Sequence, residues 1–365
     1  LDVSATKPVA EKIRGCNVKA AVLHGVSDLR VEEAETPQPG PGEVLLKVAF
    51  CGVCGSDLPR IVKDGAHYYP IILGHEFSGV IEEVGRGVDS DLIGKKAACA
   101  PLIPNFEDPE CAMGNYSLGK GYDFIGSRRQ GGFAEYVAIP QGNAVLLDNS
   151  ADLLTASFLE PLTVGLHAVN ISRFIPGRAV ALTGAGNIGL LLLQSLLRLG
   201  AGKIAAFDID RHQLDLAAMY GADICLDIRE EKEMQAGITQ IAPRGFDLVF
   251  ETSGSPSAEV LALRLAAPKG RVVYVGTPHT PLTLQPEEFE LINRKELLLQ
   301  GAWMNYSAPF PGWEWEYGVT LLDQHRVTVG DLVGRILPLS KAGGVPDLLY
   351  GPKRTSGKLV LDCGK

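Results

Sequence analysis

The sequence lacks the features of several large protein classes. Its 365 residues contain no apolar run near the roughly 20 residues that a helix needs to cross a bilayer, so no membrane-spanning segment is expected. Acidic residues outnumber basic ones by 43 to 34, and the net charge of −9 disfavours nucleic acid and acidic membranes as partners. The seven cysteines are odd in number and scattered, which argues against a disulfide framework and favours a reducing cytoplasm.

What the sequence does contain predicts two domains of the α/β class. The 42 Gly and 23 Pro are typical of a globular protein rich in turns. Residues 1–17 are interpreted as an N-terminal extension. Short β segments separated by turns over 18–169 predict a β-rich, partly open barrel. Strands alternate with helices over 170–303, which predicts a parallel, doubly wound Rossmann sheet, and 304–365 is expected to return to the first domain.

A glycine-rich turn indicates a dinucleotide site. Gly184-Ala185-Gly186-Asn187-Ile188-Gly189 matches G-x-G-x-x-G and lies between an apolar run and a helical stretch. The glycines permit a tight turn and close approach of the backbone to a pyrophosphate, which the helix N-terminus also attracts. Asp208, at the end of the next strand, is suited to bind the ribose hydroxyls and repel a 2′-phosphate. NAD is therefore predicted, with Arg211 nearby as a feature that softens the preference; the alternative is a structural turn in which Asp208 is only a cap.

Three residues of the β-rich half form a candidate metal site. Cys54, His75 and Glu160 offer one thiolate, one imidazole and one carboxylate, and a fourth position of tetrahedral zinc would stay open. Taken singly, the first two fit an ordinary buried cysteine and a core histidine. Beside a nicotinamide site they predict alcohol oxidation, because zinc holds the negative charge that develops as hydride leaves the carbinol carbon. Ser56 is expected to pass the proton outward, and Glu76 to hydrogen-bond or transiently replace a ligand.

These motifs together resemble the zinc-containing medium-chain dehydrogenase family, in order over almost the whole chain from about residue 18. The resemblance implies a GroES-like catalytic domain, a Rossmann domain, and a homodimer or homotetramer. It also implies that Cys54, His75 and Glu160 are zinc ligands and that Ser56 is the first proton relay. Further cofactor contacts are expected at Thr163, Thr252, Val275, Gly276 and Thr277.

The substrate is expected to be a polyol or a polyol phosphate. Strings at 54–61, 64–70, 122–129 and 303–307 resemble a branch of the family that acts on hexitol phosphates. The implied reaction is the reversible oxidation of galactitol 1-phosphate to tagatose 6-phosphate. An unphosphorylated polyol is the runner-up, and an inactive structural or binding relative is the rival outside enzymes.

Several cationic residues are candidates for binding the phosphate. Arg60, six residues after Cys54, is the first of them, because a guanidinium forms bidentate hydrogen bonds to phosphate. Lys63 and Tyr306 are also assigned to the substrate. Arg128 and Arg129 are further candidates, for which surface ion pairs are the alternative.

Two departures from the family pattern carry predictions. Members usually hold a second, structural zinc with four closely spaced cysteines. In the corresponding lobe only Cys111 remains, and the fourth position falls near Gly119, so one zinc per chain is predicted. Pro59 stands where some alcohol dehydrogenases have a relay histidine, so the proton is expected to leave through the cofactor ribose and water, or by another route.

Overall fold

The computed structural model describes residue 15, residues 17–350 and residues 356–365. The chain divides into two compact units, one formed by the residues up to Glu160 together with Tyr306–Lys365 and the other by Pro161–Asn305. The sequence-based boundary at 169/170 falls within the helix Leu159–Ile171, which runs across the division. Most of the proposed extension lies outside the described residues, and its last residue, Asn17, already begins a strand.

Strands form most of the first unit and alternate with helices in the second. The strands are β1 (Asn17–Gly25), β2 (Asp28–Glu35), β3 (Glu43–Gly52), β4 (Ile71–Ile72), β5 (Glu76–Val84), β6 (Lys96–Cys99), β7 (Leu102–Ile103), β8 (Asp123–Phe124), β9 (Tyr136–Pro140), β10 (Ala144–Leu146), β11 (Ala179–Thr183), β12 (Lys203–Asp208), β13 (Ile224–Asp227), β14 (Phe246–Glu251), β15 (Ala266–Tyr274), β16 (Leu298–Gly301), β17 (Val333–Pro338) and β18 (Lys358–Asp362).

The helices are mostly short. They are α1 (Asp57–Val62), α2 (Pro109–Ala112), α3 (Leu153–Ala156), α4 (Leu159–Ile171), α5 (Asn187–Arg198), α6 (Arg211–Met219), α7 (Glu231–Ile241), α8 (Pro256–Leu265), α9 (Pro286–Arg294), α10 (Trp313–Asp323) and α11 (Val345–Tyr350). Within the described part of the chain, no helix combines the length and the apolar character that crossing a bilayer requires.

The first unit is built around a seven-stranded sheet. Six of its strands follow the order β10-β6-β5-β3-β18-β17, and β9 pairs with β3. The C-terminal strand β18 returns to pair antiparallel with β3, which places Val360 opposite Gly52. Phe77 and Phe133 are fully buried in the core beneath this sheet. The pairing therefore joins the end of the chain to the strand that leads into the Cys54 turn.

The second unit contains a six-stranded, wholly parallel sheet in the order β13-β12-β11-β14-β15-β16. Its central strands are buried and therefore read as continuous apolar runs, such as Ala179–Thr183. The strand order reverses between β11 and β14, which is the switch point where doubly wound sheets bind ligands. The predicted Rossmann sheet and the β-rich catalytic fold are both confirmed.

Candidate active site

The turn between β3 and α1 positions Cys54. The N–H of Asp57 donates to the carbonyl of Cys54 at 3.1 Å, and Oδ2 of Asp57 accepts the N–H of Cys54 at 3.0 Å. The N–H of Ser56 points at the Cys54 sulfur at 3.5 Å, while the Ser56 side chain is exposed. The sulfur is therefore held by a local hydrogen-bonded turn whose Ser56 is exposed.

His75 and Glu76 enter the site at the start of β5. The preceding residue, Gly74, has φ +93°, and a β-carbon there would overlap with the Phe133 ring, so the position requires glycine. His75 is 5 % exposed and packs edge-on to Phe124 with ring centroids 5.6 Å apart. The ligand atoms of Cys54, His75 and Glu76 all lie within 4.8 Å of one another, and no other group of three His, Cys, Asp or Glu does so among the described residues.

Glu160, the predicted third ligand, lies outside that group. It is the second residue of α4, and its charge acts on Cys99, Tyr306 and Lys358. The structure thus brings Cys54 and His75 together as expected but places Glu76 beside them. The reason is local: Glu76 is adjacent to His75 in β5, whereas Glu160 belongs to a different element.

Glu76 and His75 each form a buried ion pair with a residue outside the candidate metal group. The Nζ of Lys358 lies 2.6 Å from Oε1 and 2.5 Å from Oε2 of Glu76, and both side chains are almost fully buried. Burial lowers the pKa of Lys358, but the charges of Glu76 and Cys54 outweigh that effect, so its pKa is raised. Nδ1 of His75 lies 3.5 Å from Oδ1 of Asp57, a carboxylate with no exposed surface.

The electrostatics of His75 favour a cation at the site. Burial by itself lowers the pKa of the imidazole, but the negative charges of Asp57 and Cys54 outweigh it, and the pKa is raised well above its ordinary value. Ligands about 2.0–2.3 Å from a tetrahedral zinc ion lie about 3.5 Å from each other. The thiol, imidazole and carboxylate of Cys54, His75 and Glu76 therefore fit zinc in both chemistry and spacing.

The lobe around α2 is held by hydrogen bonds and aromatic packing. The Cys111 thiol is buried and points at the carbonyl of Tyr116 at 3.8 Å. Gly119 faces the Cys111 sulfur and contributes no side chain. Asp108 caps α2, and N–H groups led by that of Lys120 lower the pKa of its carboxyl. Edge-to-face contacts join the rings of Phe106, Tyr116 and Phe310.

In the second unit, the glycine turn has the geometry of a phosphate-binding loop. Gly184 has φ +98° and lies at the end of β11, and Gly186 is the N-cap of α5, so that Asn187 and Ile188 are its first residues. A β-carbon at Gly189 would overlap with the carbonyl of Gly184, so the helix could not approach the strand. The free N–H groups at the start of α5 are the feature that binds phosphate groups.

Asp208 is tied to this turn. Its Oδ2 accepts the N–H of Ala185 at 2.6 Å, and its Oδ1 accepts the N–H groups of Ile209 and Asp210 at 2.7 and 2.9 Å. The carboxylate is thereby held over the glycine turn, where the sequence predicts ribose binding. Residues at the ends of β14 and β15 adjoin the same turn, since Thr252 Oγ1 donates to the carbonyl of Gly184 at 2.7 Å.

Two arginines beside Asp208 are each paired with a carboxylate. Arg211 Nε lies 3.0 Å from Asp215 Oδ1. Arg229 binds Asp227 at 2.5 Å, and its hydrogen bonds lower the pKa of that carboxyl to about 2. The guanidinium of Arg229 also donates to the carbonyl of Ile209 at 2.7 Å.

Glu251 and Asn305 have roles that sequence reasoning missed. Glu251 is fully buried, and its carboxylate accepts the N–H groups of Ser253 and Gly254 at 2.8 and 3.0 Å. Its carbonyl accepts the N–H groups of Val275 and Gly276, so one residue fixes both loops predicted to bind the cofactor, the second of which ends at Thr277. Asn305 donates to the hydroxyl of Thr163 at 2.8 Å in a buried contact.

The predicted substrate residues have different surroundings. Arg60 Nη1 donates to the carbonyl of Ser56 at 2.5 Å, and Lys63 is exposed at the end of α1. Tyr306, by contrast, is 3 % exposed, and its hydroxyl accepts the N–H of Leu102 at 2.8 Å. Its ring stacks on those of Phe310 and Trp315. This environment gives Tyr306 a packing role.

Comparison with known proteins assigns the family. The model described as "Alcohol dehydrogenase GroES-like domain" matches residues 40–149, and that described as "Zinc-binding dehydrogenase" matches residues 187–316. Galactitol 1-phosphate 5-dehydrogenase of Escherichia coli is 44 % identical over 308 residues, which cover 84 % of this chain and 88 % of that protein. The chain belongs to the zinc-containing medium-chain dehydrogenase family.

Other members of this dehydrogenase family are also similar. Sorbitol dehydrogenase of Bacillus subtilis is 33 % identical over 267 residues, covering 72 % of this chain and 76 % of that protein. The crystal structure of galactitol-1-phosphate dehydrogenase from Escherichia coli superposes with a TM-score of 0.87 at 42 % identity, over 94 % of this chain and 99 % of that chain. A zinc-binding dehydrogenase from Sinorhizobium meliloti, solved with NADP, gives 0.86 at 29 % identity, over 95 % and 99 %. This medium-chain dehydrogenase is therefore an oxidoreductase of the zinc type.

Proposed function

We propose that the protein catalyses the reversible, NAD-linked oxidation of galactitol 1-phosphate to tagatose 6-phosphate. The observation that carries the proposal is the group formed by Cys54, His75 and Glu76, whose ligand atoms lie within 4.8 Å of one another. The 44 % identity to an enzyme named for this reaction supports the choice of substrate. The runner-up is an unphosphorylated polyol, which the likeness to sorbitol dehydrogenase favours.

We propose one zinc ion per chain, held by Cys54 and His75 together with a carboxylate. Glu76 is the carboxylate whose ligand atom lies within 4.8 Å of those of Cys54 and His75. Glu160 is the alternative, because its charge acts on Lys358, the lysine that also pairs with Glu76. When bound, zinc stabilises the negative charge that develops on the substrate oxygen. NAD, when bound, would supply the acceptor for the hydride that leaves the carbon bearing this oxygen.

The chain's own residues orient the ligands and move the proton. Asp57 holds the Cys54 backbone and faces His75, and Lys358 holds Glu76. Ser56, whose backbone N–H points at the Cys54 sulfur, has an exposed side chain, and its hydroxyl receives the proton of the substrate hydroxyl as it passes on its own. Pro59 offers no titratable group for the next step, so the onward proton acceptor would be the ribose of a bound cofactor with water, or another group.

We propose NAD as the coenzyme because of Asp208 and its neighbours. A carboxylate at this position repels a 2′-phosphate and binds both ribose hydroxyls. Arg211 and Arg229, the nearby cations, are each neutralised by an aspartate. Their pairing leaves little positive charge for the additional phosphate of NADP.

The test is a substrate panel with the purified, zinc-loaded protein. Galactitol 1-phosphate, galactitol and sorbitol are assayed for NADH formation with NAD, and zinc is counted by elemental analysis. We expect turnover of galactitol 1-phosphate to dominate, with one zinc per chain. Equal turnover of galactitol would reject the phosphorylated substrate in favour of a polyol, and protein without zinc or turnover would indicate an inactive relative.

A further inference from the structure

Three basic side chains, two arginines and one histidine, lie on three separate segments of the first unit. The first is Arg60, on α1. Its guanidinium turns back along the helix, since Nη1 donates to the carbonyl of Ser56 at 2.5 Å. This bond places the positive charge next to the turn that carries Cys54.

The second is Arg128, in the turn that follows β8. The N–H of Arg128 donates to the carbonyl of Phe124 at 2.8 Å, and the Phe124 ring packs edge-on to His75. The guanidinium lies over the ring of Tyr122, 4.6 Å from its centroid, which restricts its position. The turn that carries Arg128 therefore borders the ligand histidine.

The third is His67, in the exposed loop between α1 and β4. Its pKa is lowered, first by partial burial and then by the positive charges of Arg128 and Arg60. Both guanidinium charges therefore oppose protonation of the imidazole. Arg60 and Arg128 are 68 positions apart in the sequence.

The positive charge of this group is not offset by carboxylates. Among the residues that the structure describes, neither Arg60 nor Arg128 forms an ion pair, whereas the adjacent Arg129 binds Glu43 at 2.7 Å. A chain with a net charge of −9 thus keeps two unpaired guanidinium groups next to its candidate metal site. Such a local excess of positive charge attracts an anion.

We infer that Arg60, His67 and Arg128 form the subsite that binds the phosphate of the substrate. The inference rests on the proposed function and assigns a role to each residue. The arginines bind the phosphate oxygens through charge-assisted hydrogen bonds, and His67 donates a further N–H. A phosphate monoester carries a charge of about −1.5 to −2, which balances the positive charges of the two guanidinium groups.

The position suits a hexitol phosphate. In galactitol 1-phosphate, the phosphate is near one end of the carbon chain and the carbon that is oxidised is near the other. A phosphate subsite therefore belongs at the edge of the metal site and not among its ligands. Arg60, one helical turn after Ser56, and Arg128, four residues after the ring that contacts His75, both meet this requirement.

The experiment compares phosphorylated and unphosphorylated substrate in the zinc-loaded full chain. The ratio of kcat/KM for galactitol 1-phosphate to that for galactitol is measured for wild type, Arg128→Gln and His67→Gln. We expect the ratio to fall about tenfold or more in Arg128→Gln, which loses a charged donor, and less in His67→Gln. Arg129→Gln is the matched control, because its partner is Glu43, and it should keep the wild-type ratio.

A second measurement separates the subsite from the proposed substrate. Binding of inorganic phosphate is followed by calorimetry in the same four proteins, with circular dichroism and zinc content as checks of folding. Loss of phosphate binding in Arg128→Gln but not in Arg129→Gln supports the subsite even if galactitol 1-phosphate proves not to be the substrate. An unchanged ratio and unchanged phosphate binding in both Arg128→Gln and His67→Gln overturn the inference and leave the proposed reaction standing.

Discussion

Oδ1 of Asp57 lies 3.5 Å from Nδ1 of His75, and Oδ2 of the same carboxylate accepts the N–H of Cys54 at 3.0 Å. One buried side chain thus contacts both residues that the sequence predicts as metal ligands. Groups that hydrogen-bond to ligands fix their orientation and raise their affinity for metal. Asp57 is therefore a positioning residue for the candidate zinc site.

Replacing Asp57 by Asn should weaken zinc binding. The substitution keeps the shape of the side chain but removes the charge that faces His75, so we expect zinc affinity to fall about 10–100-fold. Competition with a chromophoric chelator measures this affinity. Asp64→Asn, on the exposed loop after α1, is the control, and equal affinities for the two variants would contradict a positioning role.

The third zinc ligand can be assigned by comparing two carboxylate variants. Since Glu76 and not Glu160 lies within 4.8 Å of the sulfur and imidazole donors, Glu76→Gln should lower zinc affinity more than Glu160→Gln. The same chelator competition gives both values. A larger loss of zinc affinity in Glu160→Gln than in Glu76→Gln would support Glu160 as the third ligand, as the sequence predicts.

Removing Lys358 should destabilise the first unit. Lys358→Met leaves the Glu76 carboxylate buried without its partner, which costs about 3–5 kcal/mol of unfolding free energy. Urea unfolding of the zinc-free protein measures the effect. The double variant Lys358→Met/Glu76→Gln should recover most of the loss, because it removes both charges, and no recovery would mean that the two residues do not act as a pair.

Asp208 should determine the choice of coenzyme. In Asp208→Asn the repulsion of a 2′-phosphate is lost, so we expect the ratio of kcat/KM for NAD to that for NADP to fall about tenfold or more. Asp247→Asn is the control, because Asp247 lies near the start of β14, away from the loop that follows the strand, and its carboxylate pairs with Arg178. A ratio that stays at the wild-type value in Asp208→Asn would show that another group discriminates.

Tyr306 should affect stability and not catalysis. Tyr306→Phe removes the acceptor of the buried Leu102 N–H, which costs about 1–3 kcal/mol of unfolding free energy. Kinetic constants below the unfolding temperature should stay within about twofold of wild type. Tyr317→Phe on α10 is the control for loss of a tyrosine hydroxyl. A large rise in the substrate KM of Tyr306→Phe would instead support the sequence-based assignment of Tyr306 to substrate binding.

Local sequence determined much of this protein. The glycine turn, Asp208 at the end of a strand, and the cysteine before α1 are recognisable because their function depends on short spacings and on backbone conformations that few residues allow. The alternation of apolar strands and helices predicted the doubly wound sheet, because the hydrophobic pattern of each element is recognisable within about ten residues.

Only the tertiary structure decided which distant residues meet. Lys358 reaches Glu76 across 282 positions because β18 pairs with β3, and no periodicity in the sequence reports such a pairing. Arg128 and Arg129 are adjacent residues of the same type, yet Arg129 binds Glu43 and Arg128 lies over the ring of Tyr122. Contacts of this kind depend on the packing of whole sheets and turns, so side-chain type and spacing alone do not specify them.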